Sequence, residues 1–185
     1  MSYTKMKRLI VIVLLLTVAG VAPASISATR AGNNNHGLDL PSPLCDDLQV
    51  QPGNKVSFRV YARGVQLYRW NGSTWSFVAP VATLYADANY RGQVGIHYSG
   101  PTWESNSGSK VVAARLEGCS PEPTAIPWLL LQATSTNGPG IFSSVTYIHR
   151  VNTTGGLAPT APGSFVGESV EVPYTAEYYF YRSKG

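Results

Sequence analysis

Charged side chains are scarce in this chain. Asp, Glu, Lys and Arg supply 13% of its 185 residues, and most of the formal net charge of +4 comes from the first 28 positions, where Lys5, Lys7 and Arg8 meet no acid. Beyond them the balance is +1, with no Lys/Arg cluster on any segment. A protein that grips nucleic acid or an anionic membrane surface needs such a cluster to neutralise phosphates, so neither is expected as a partner. Cysteine and histidine are also rare, with two and three copies. The two cysteines cannot by themselves complete a metal site, which takes about four ligands. No Gly-x-Ser-x-Gly elbow occurs to present a serine nucleophile. Gly138-Pro139-Gly140 begins a dinucleotide fingerprint, but Ser143 stands where the third glycine belongs and a proline fills the turn. No internal period repeats, which excludes a propeller.

Long apolar runs are equally limited. The longest, Leu9 to Leu16, continues weakly through Thr17 to Ala22 and falls short of the ~20 residues a membrane-spanning helix requires. Its place behind Lys5, Lys7 and Arg8, and ahead of the small residues around Ala24 and Ala28, is the pattern of a secretory signal peptide over residues 1–28. Cleavage is expected after Ala24 or Ala28. The mature protein is then secreted, periplasmic or on the cell surface, with no membrane association left. In such an oxidising compartment the even pair Cys45 and Cys119 is most simply a disulfide; two free or buried thiols are the alternative.

What the chain has in quantity is glycine (18), proline (13) and tyrosine (11), a mix suited to short strands and tight turns. Residues 29–43 show no apolar period and read as a flexible lead-in, leaving 44–185 as one β domain. Lys55 to Arg63 alternates, with Val56, Phe58, Val60 and Ala62 on one face. Gly64 then breaks the pattern, suggesting a bulge or bend before Val65 to Trp70. Asn71-Gly72 predicts a type I′ hairpin that brings Trp70 beside Trp75. Further strands are predicted at 82–85, 93–98, 110–117, 128–134, 143–151 and 173–182, with a short helix as the alternative after Pro127. The expected fold is all-β: a single-domain antiparallel β-sandwich or barrel with little helix.

Chemistry is best supported between Gly95 and Glu104, where a strand carrying His97 runs into Gly100-Pro101 and then Trp103 and Glu104. If His97 and Glu104 meet across that turn, they form an acid–base pair, with His149 as a third member. No cofactor is expected. A metal at His97 and Glu104 has suitable ligand types but no recognised spacing. The competing reading makes His97 an imidazole bonded to backbone and pairs Glu104 with Lys110. Aromatic faces at Trp70, Trp103 and Tyr98, with Lys110 and His149, are the candidates for holding a small molecule or carbohydrate. Asn71-Gly72-Ser73 and Asn152-Thr153-Thr154 are glycosylation sequons.

Several motifs together resemble the secreted family known as domain of unknown function 3455. They are Gly64-Val65-Gln66-Leu67-Tyr68, His97-Tyr98-Ser99-Gly100-Pro101-Thr102-Trp103-Glu104, Ile126-Pro127-Trp128 and Val145-Thr146-Tyr147-Ile148-His149-Arg150, with Val172-Pro173-Tyr174-Thr175-Ala176-Glu177-Tyr178 near the end. The resemblance implies export and a single domain, and carries no established activity, cofactor or partner. In that family the position of His149 is commonly glutamine and that of Trp70 cysteine, while Ser107 replaces a usual aspartate. These departures favour His97, Trp103, Glu104 and Lys110 over a two-histidine site. The expected role is that of a ligand-binding or surface-interaction domain, with a metal-assisted or acid–base hydrolase or lyase using His97 and Glu104 as the alternative.

Overall fold

A computed structural model describes residues 38–185; the proposed signal peptide and residues 29–37 of the lead-in lie outside them. Inward and outward positions alternate along β1 (Asn54–Trp70), with Val60, Ala62, Gln66 and Tyr68 buried. This period of two recurs in the second half of β2 (Trp75–Tyr85) and in β3 (Gln93–Tyr98), whereas the short β4 (Thr102–Ser105) buries the adjacent Thr102 and Trp103 together. It returns in the first part of β5 (Lys110–Cys119). The chain continues through β6 (Trp128–Asn137), β7 (Tyr147–Gly155) and β8 (Ser169–Ser183). Each strand pairs antiparallel with the next, and β8 returns to β1, so the sheet closes into an eight-stranded barrel. Closure removes the free edges that an open sheet would expose. Among the described residues the only helical element is a 3-10 turn, Asp46–Leu48.

The all-β expectation holds, and closure chooses the barrel over the sandwich. Several local expectations change. Gly64 is no bulge: the β1–β2 register runs unbroken from Tyr61 to Leu67 and slips only at Leu67/Tyr68. Its glycine is required by close approach, since a Cβ there would lie 2.1 Å from the Val81 carbonyl oxygen. Strand β2 passes through Pro80 without breaking, so the strand expected at 82–85 extends back to Trp75. Residues 128–131 are strand, not helix. The segment from Thr102 to Ser105, read as the end of a turn, is a strand paired on both sides. Trp70 and Trp75 do pair, with ring centroids 5.5 Å apart, but the loop is four residues rather than a type I′ turn. Asn71 Oδ1 accepts the Ser73 and Thr74 amides, which organises that loop.

Two apolar clusters lie on opposite sides of the β6–β7–β8 wall. Inside, Phe58, Phe142 and Phe180 fill one end of the lumen, with Phe58 stacked on Phe180 at 4.7 Å and Phe142 tilted against Phe180 at 5.0 Å. The loop containing Gly138-Pro139-Gly140 delivers Phe142 to this end, where it is 2% exposed. Outside, Leu130, Tyr147, Val151, Tyr179 and Tyr181 are covered by Cys45, Leu48 and Val50. Leu38 and Leu40 join this packing, so the described part of the segment expected to be a flexible lead-in is packed against the barrel. The Cys45–Cys119 disulfide ties the covering segment to the end of β5. Among the described residues no helix is long and apolar enough to cross a membrane.

Candidate functional site

Strands β3 and β4 set the site. His97 and Trp103 are register partners, so both point inward, and their rings stack at 4.3 Å with a 12° interplanar angle. Tyr178 from β8 closes edge-on to both at 5.3 Å. The His97 Nδ1–H donates to the Thr102 carbonyl at 2.8 Å, because a carbonyl can only accept. That fixes the tautomer and leaves Nε2 as an acceptor with no hydrogen-bond partner among the described residues. Burial holds the imidazole pKa down to about 3, with the Arg150 charge acting in the same direction, so the ring is neutral at physiological pH.

These aromatics form the inner wall of a cavity of about 210 Å³ at the end of the lumen opposite Phe58, Phe142 and Phe180. Gln66, Leu129, Leu131 and Arg150 line it further, and exposed Phe77, Ser99, Gly100 and Arg115 mark its mouth. Three buried polar atoms in this wall lack a well-formed hydrogen bond to protein: Gln66 Nε2, Trp103 Nε1 and Tyr178 Oη, the last lying near the Tyr174 hydroxyl and the Arg150 guanidinium. Such atoms are rare in folded proteins, because each costs about 1–3 kcal/mol when left unpaired. Burial pushes the Tyr178 phenol pKa up, with Arg150 pulling against it, so the hydroxyl keeps its proton. Arg150 is anchored by donating from Nε and Nη2 to the Pro127 carbonyl at 3.1 and 2.8 Å.

The other expected site residues are dispersed. Glu104 sits next to Trp103 in β4 and therefore projects from the opposite, outer face of the wall. There it accepts from Tyr98 Oη at 2.8 Å and pairs with Lys110 Nζ at 3.2 Å. The Tyr98 hydrogen bond and the Lys110 ammonium hold its carboxyl pKa low. His97 and Glu104 thus do not form the expected acid–base pair, and Tyr98 and Lys110 belong to an external cluster. His149 is outside the lumen too. Its Nε2–H donates to the Leu48 carbonyl at 2.6 Å, which leaves Nδ1 to accept from Tyr181 Oη at 2.9 Å. Burial keeps its pKa near 4. Trp70 lines a separate surface cleft with Trp75 and Pro159. Among the described residues no three His, Cys, Asp or Glu side chains gather as metal ligands.

Sequence reasoning found His97 and Trp103 but missed Gln66, Arg150 and Tyr178 as members of one site. Their signal is parity: each occupies an inward position of its strand, and a polar group at a core position requires a reason. An eight-stranded closed barrel with a mostly apolar cavity carrying a few polar groups at one end is the class of protein this geometry defines. The chain belongs to the family described as protein of unknown function (DUF3455), whose profile matches residues 51–182, from the approach to β1 to near the end of β8. No curated protein and no solved structure matches the chain.

Proposed function

We propose that this protein is an exported binding module that holds a small organic molecule in the open end of its barrel. The observation that carries this reading is the set of unpartnered polar atoms, Gln66 Nε2, Trp103 Nε1 and Tyr178 Oη, gathered on one cavity wall. Eight-stranded barrels have interiors just wide enough to be filled by side chains or to hold one small ligand. Here the Phe58, Phe142 and Phe180 end is filled and the His97 end is not. The cavity suits a single ring-sized molecule rather than an oligosaccharide, since an engineered apolar cavity of about 150 Å³ binds benzene. Binding is favoured over turnover because the one imidazole in the wall is a very weak base and no carboxylate lines the cavity. The Cys45–Cys119 disulfide agrees with action in an oxidising compartment.

The test is a thermal-shift screen of ring-sized compounds, neutral and charged, against the wild type and Leu129→Trp, which fills the cavity from β6. Compounds that stabilise the wild type but not the filled variant are expected, with near-ultraviolet circular dichroism confirming that both fold. Equal stabilisation of the two proteins, or none of the wild type, would reject the lumen as the binding site.

A further inference from the structure

Within the lumen-binding reading, on which this inference rests, the charges of the wall discriminate among ligands. Two guanidinium groups line the cavity, Arg150 within it and Arg115 at its mouth, and no Asp or Glu is among the lining residues. Neither arginine belongs to an ion pair among the described residues, where the ion pairs are Arg59–Glu177, Arg91–Asp87 and Lys110–Glu104. The Pro127 carbonyl orients Arg150 through Nε and Nη2 without neutralising it, and the neutral Tyr178 phenol beside the guanidinium supplies no counter-charge. A partly desolvated guanidinium without a counter-charge is costly to keep. The unpartnered wall atoms supply donors from Gln66 Nε2, Trp103 Nε1 and Tyr178 Oη, against the single acceptor His97 Nε2. Around them Trp103, Pro80, Leu129 and Leu131 present apolar surface.

We propose that the cavity selects a small carboxylic acid with one ring, its carboxylate meeting Arg150 and the donor wall while the ring lies among Trp103, Leu129 and Leu131. A carboxylate offers only acceptors, and a guanidinium fork matches its planar geometry. The volume holds a ring and a short acidic arm but no long chain. Arg115, exposed at the mouth, raises the local concentration of anions and takes no part in seating the ring.

The experiment is isothermal titration of the purified protein with two matched pairs, benzoate against benzamide and phenylacetate against phenylacetamide. At least one acid is expected to bind at least tenfold more tightly than its amide. Arg150→Gln should bring the pair to within twofold, Arg150→Lys should retain part of the preference, and Arg115→Gln should weaken the acid modestly, more at low salt than at high. If Arg150→Gln fails to fold, the acid-to-amide ratio in the wild type and the salt dependence in Arg115→Gln still decide the question. Equal affinity for acid and amide would overturn the anion preference and leave lumen binding standing. Failure of all four probes to bind the wild type would overturn both.

Discussion

The barrel contains two buried histidines whose surroundings differ in kind. His149, on the outer face of β7, is fully enclosed, and both ring nitrogens are used: one bonds Leu48 in the covering segment, the other Tyr181 in the adjacent strand. His97, on the inner face of β3, is 3% exposed and uses one nitrogen on its own turn, while its neighbours Trp103, Tyr178 and Gln66 keep unpaired polar atoms. Burial alone therefore does not mark a site. A satisfied buried histidine holds two pieces of chain together, whereas polar atoms without protein partners around a cavity are completed only by water or a ligand.

The comparison is broken most forcefully at the closed end of the lumen. Phe180→Ala, which removes the ring shared by Phe58 and Phe142, should cost about 3–5 kcal/mol in urea denaturation. Replacing both Cys45 and Cys119 with serine frees a loop with a sequence separation of 74 residues. It should cost about 2–4 kcal/mol by the same measurement, somewhat below the full loop-entropy value. Ligand binding in the lumen should survive, because the disulfide holds the cover over the outer wall only.

At the histidines themselves the two regions should respond with opposite signs. His149→Leu strands the Leu48 carbonyl and the Tyr181 hydroxyl and should destabilise by about 1–3 kcal/mol. Gln66→Leu and Tyr178→Phe remove groups that lack a well-formed hydrogen bond to protein, and should leave stability unchanged or raise it by up to about 1 kcal/mol while weakening any ligand. A destabilisation from Tyr178→Phe equal to that from His149→Leu, seen in chemical denaturation, would erase the distinction.

Acid should act on both histidines alike. Each has a native pKa below the unfolded value of 6.5, near 3 for His97 and near 4 for His149, so unfolding takes up protons once the pH drops below 6.5. Their contribution is complete above pH 6.5 and is lost as pH falls toward the native values, by up to about 1.4 kcal/mol per pH unit for each histidine. Between pH 6.5 and 4.5, above the ordinary carboxylate range, His149→Gln or His97→Gln should each remove about half of the slope of stability against pH. A slope unchanged in both variants would show that other groups carry it.

Much of the barrel was legible because period-two patterning is written in single strands. The strand from Gln93 to Tyr98 coincides with β3, and of the face read as Val56, Phe58, Val60 and Ala62 the last three point inward, while Val56, across the irregularity at Val56/Phe58, packs in the outer cluster. Thr102–Ser105 was not, since four residues after Gly100-Pro101 are too few to show a period, and their strand character comes from pairing on both sides. Leu38 and Leu40 looked unstructured because only the tertiary cover over Tyr179 and Tyr181 gives them a place. At the site, Glu104 misled because it is one residue from Trp103 in sequence, which on a strand means the opposite face. Arg150 and Tyr178 become neighbours of His97 only when the barrel closes, and nothing in a linear reading brings β7 and β8 to β3.

The claim that the His97 end of the lumen is a ligand site is tested most directly by the indole N–H resonances of the ¹⁵N-labelled protein during titration with benzoate and, separately, phenylacetate. Trp103 Nε1 is unpartnered in the cavity wall, Trp75 Nε1 already donates to the Ala161 carbonyl at 2.8 Å, and Trp70 lies in another cleft. The account predicts a saturable shift of the Trp103 indole with at least one of the two acids, with the Trp70 and Trp75 signals unmoved. A Trp103 resonance stationary in both titrations, or shifts confined to Trp70 and Trp75, would contradict it.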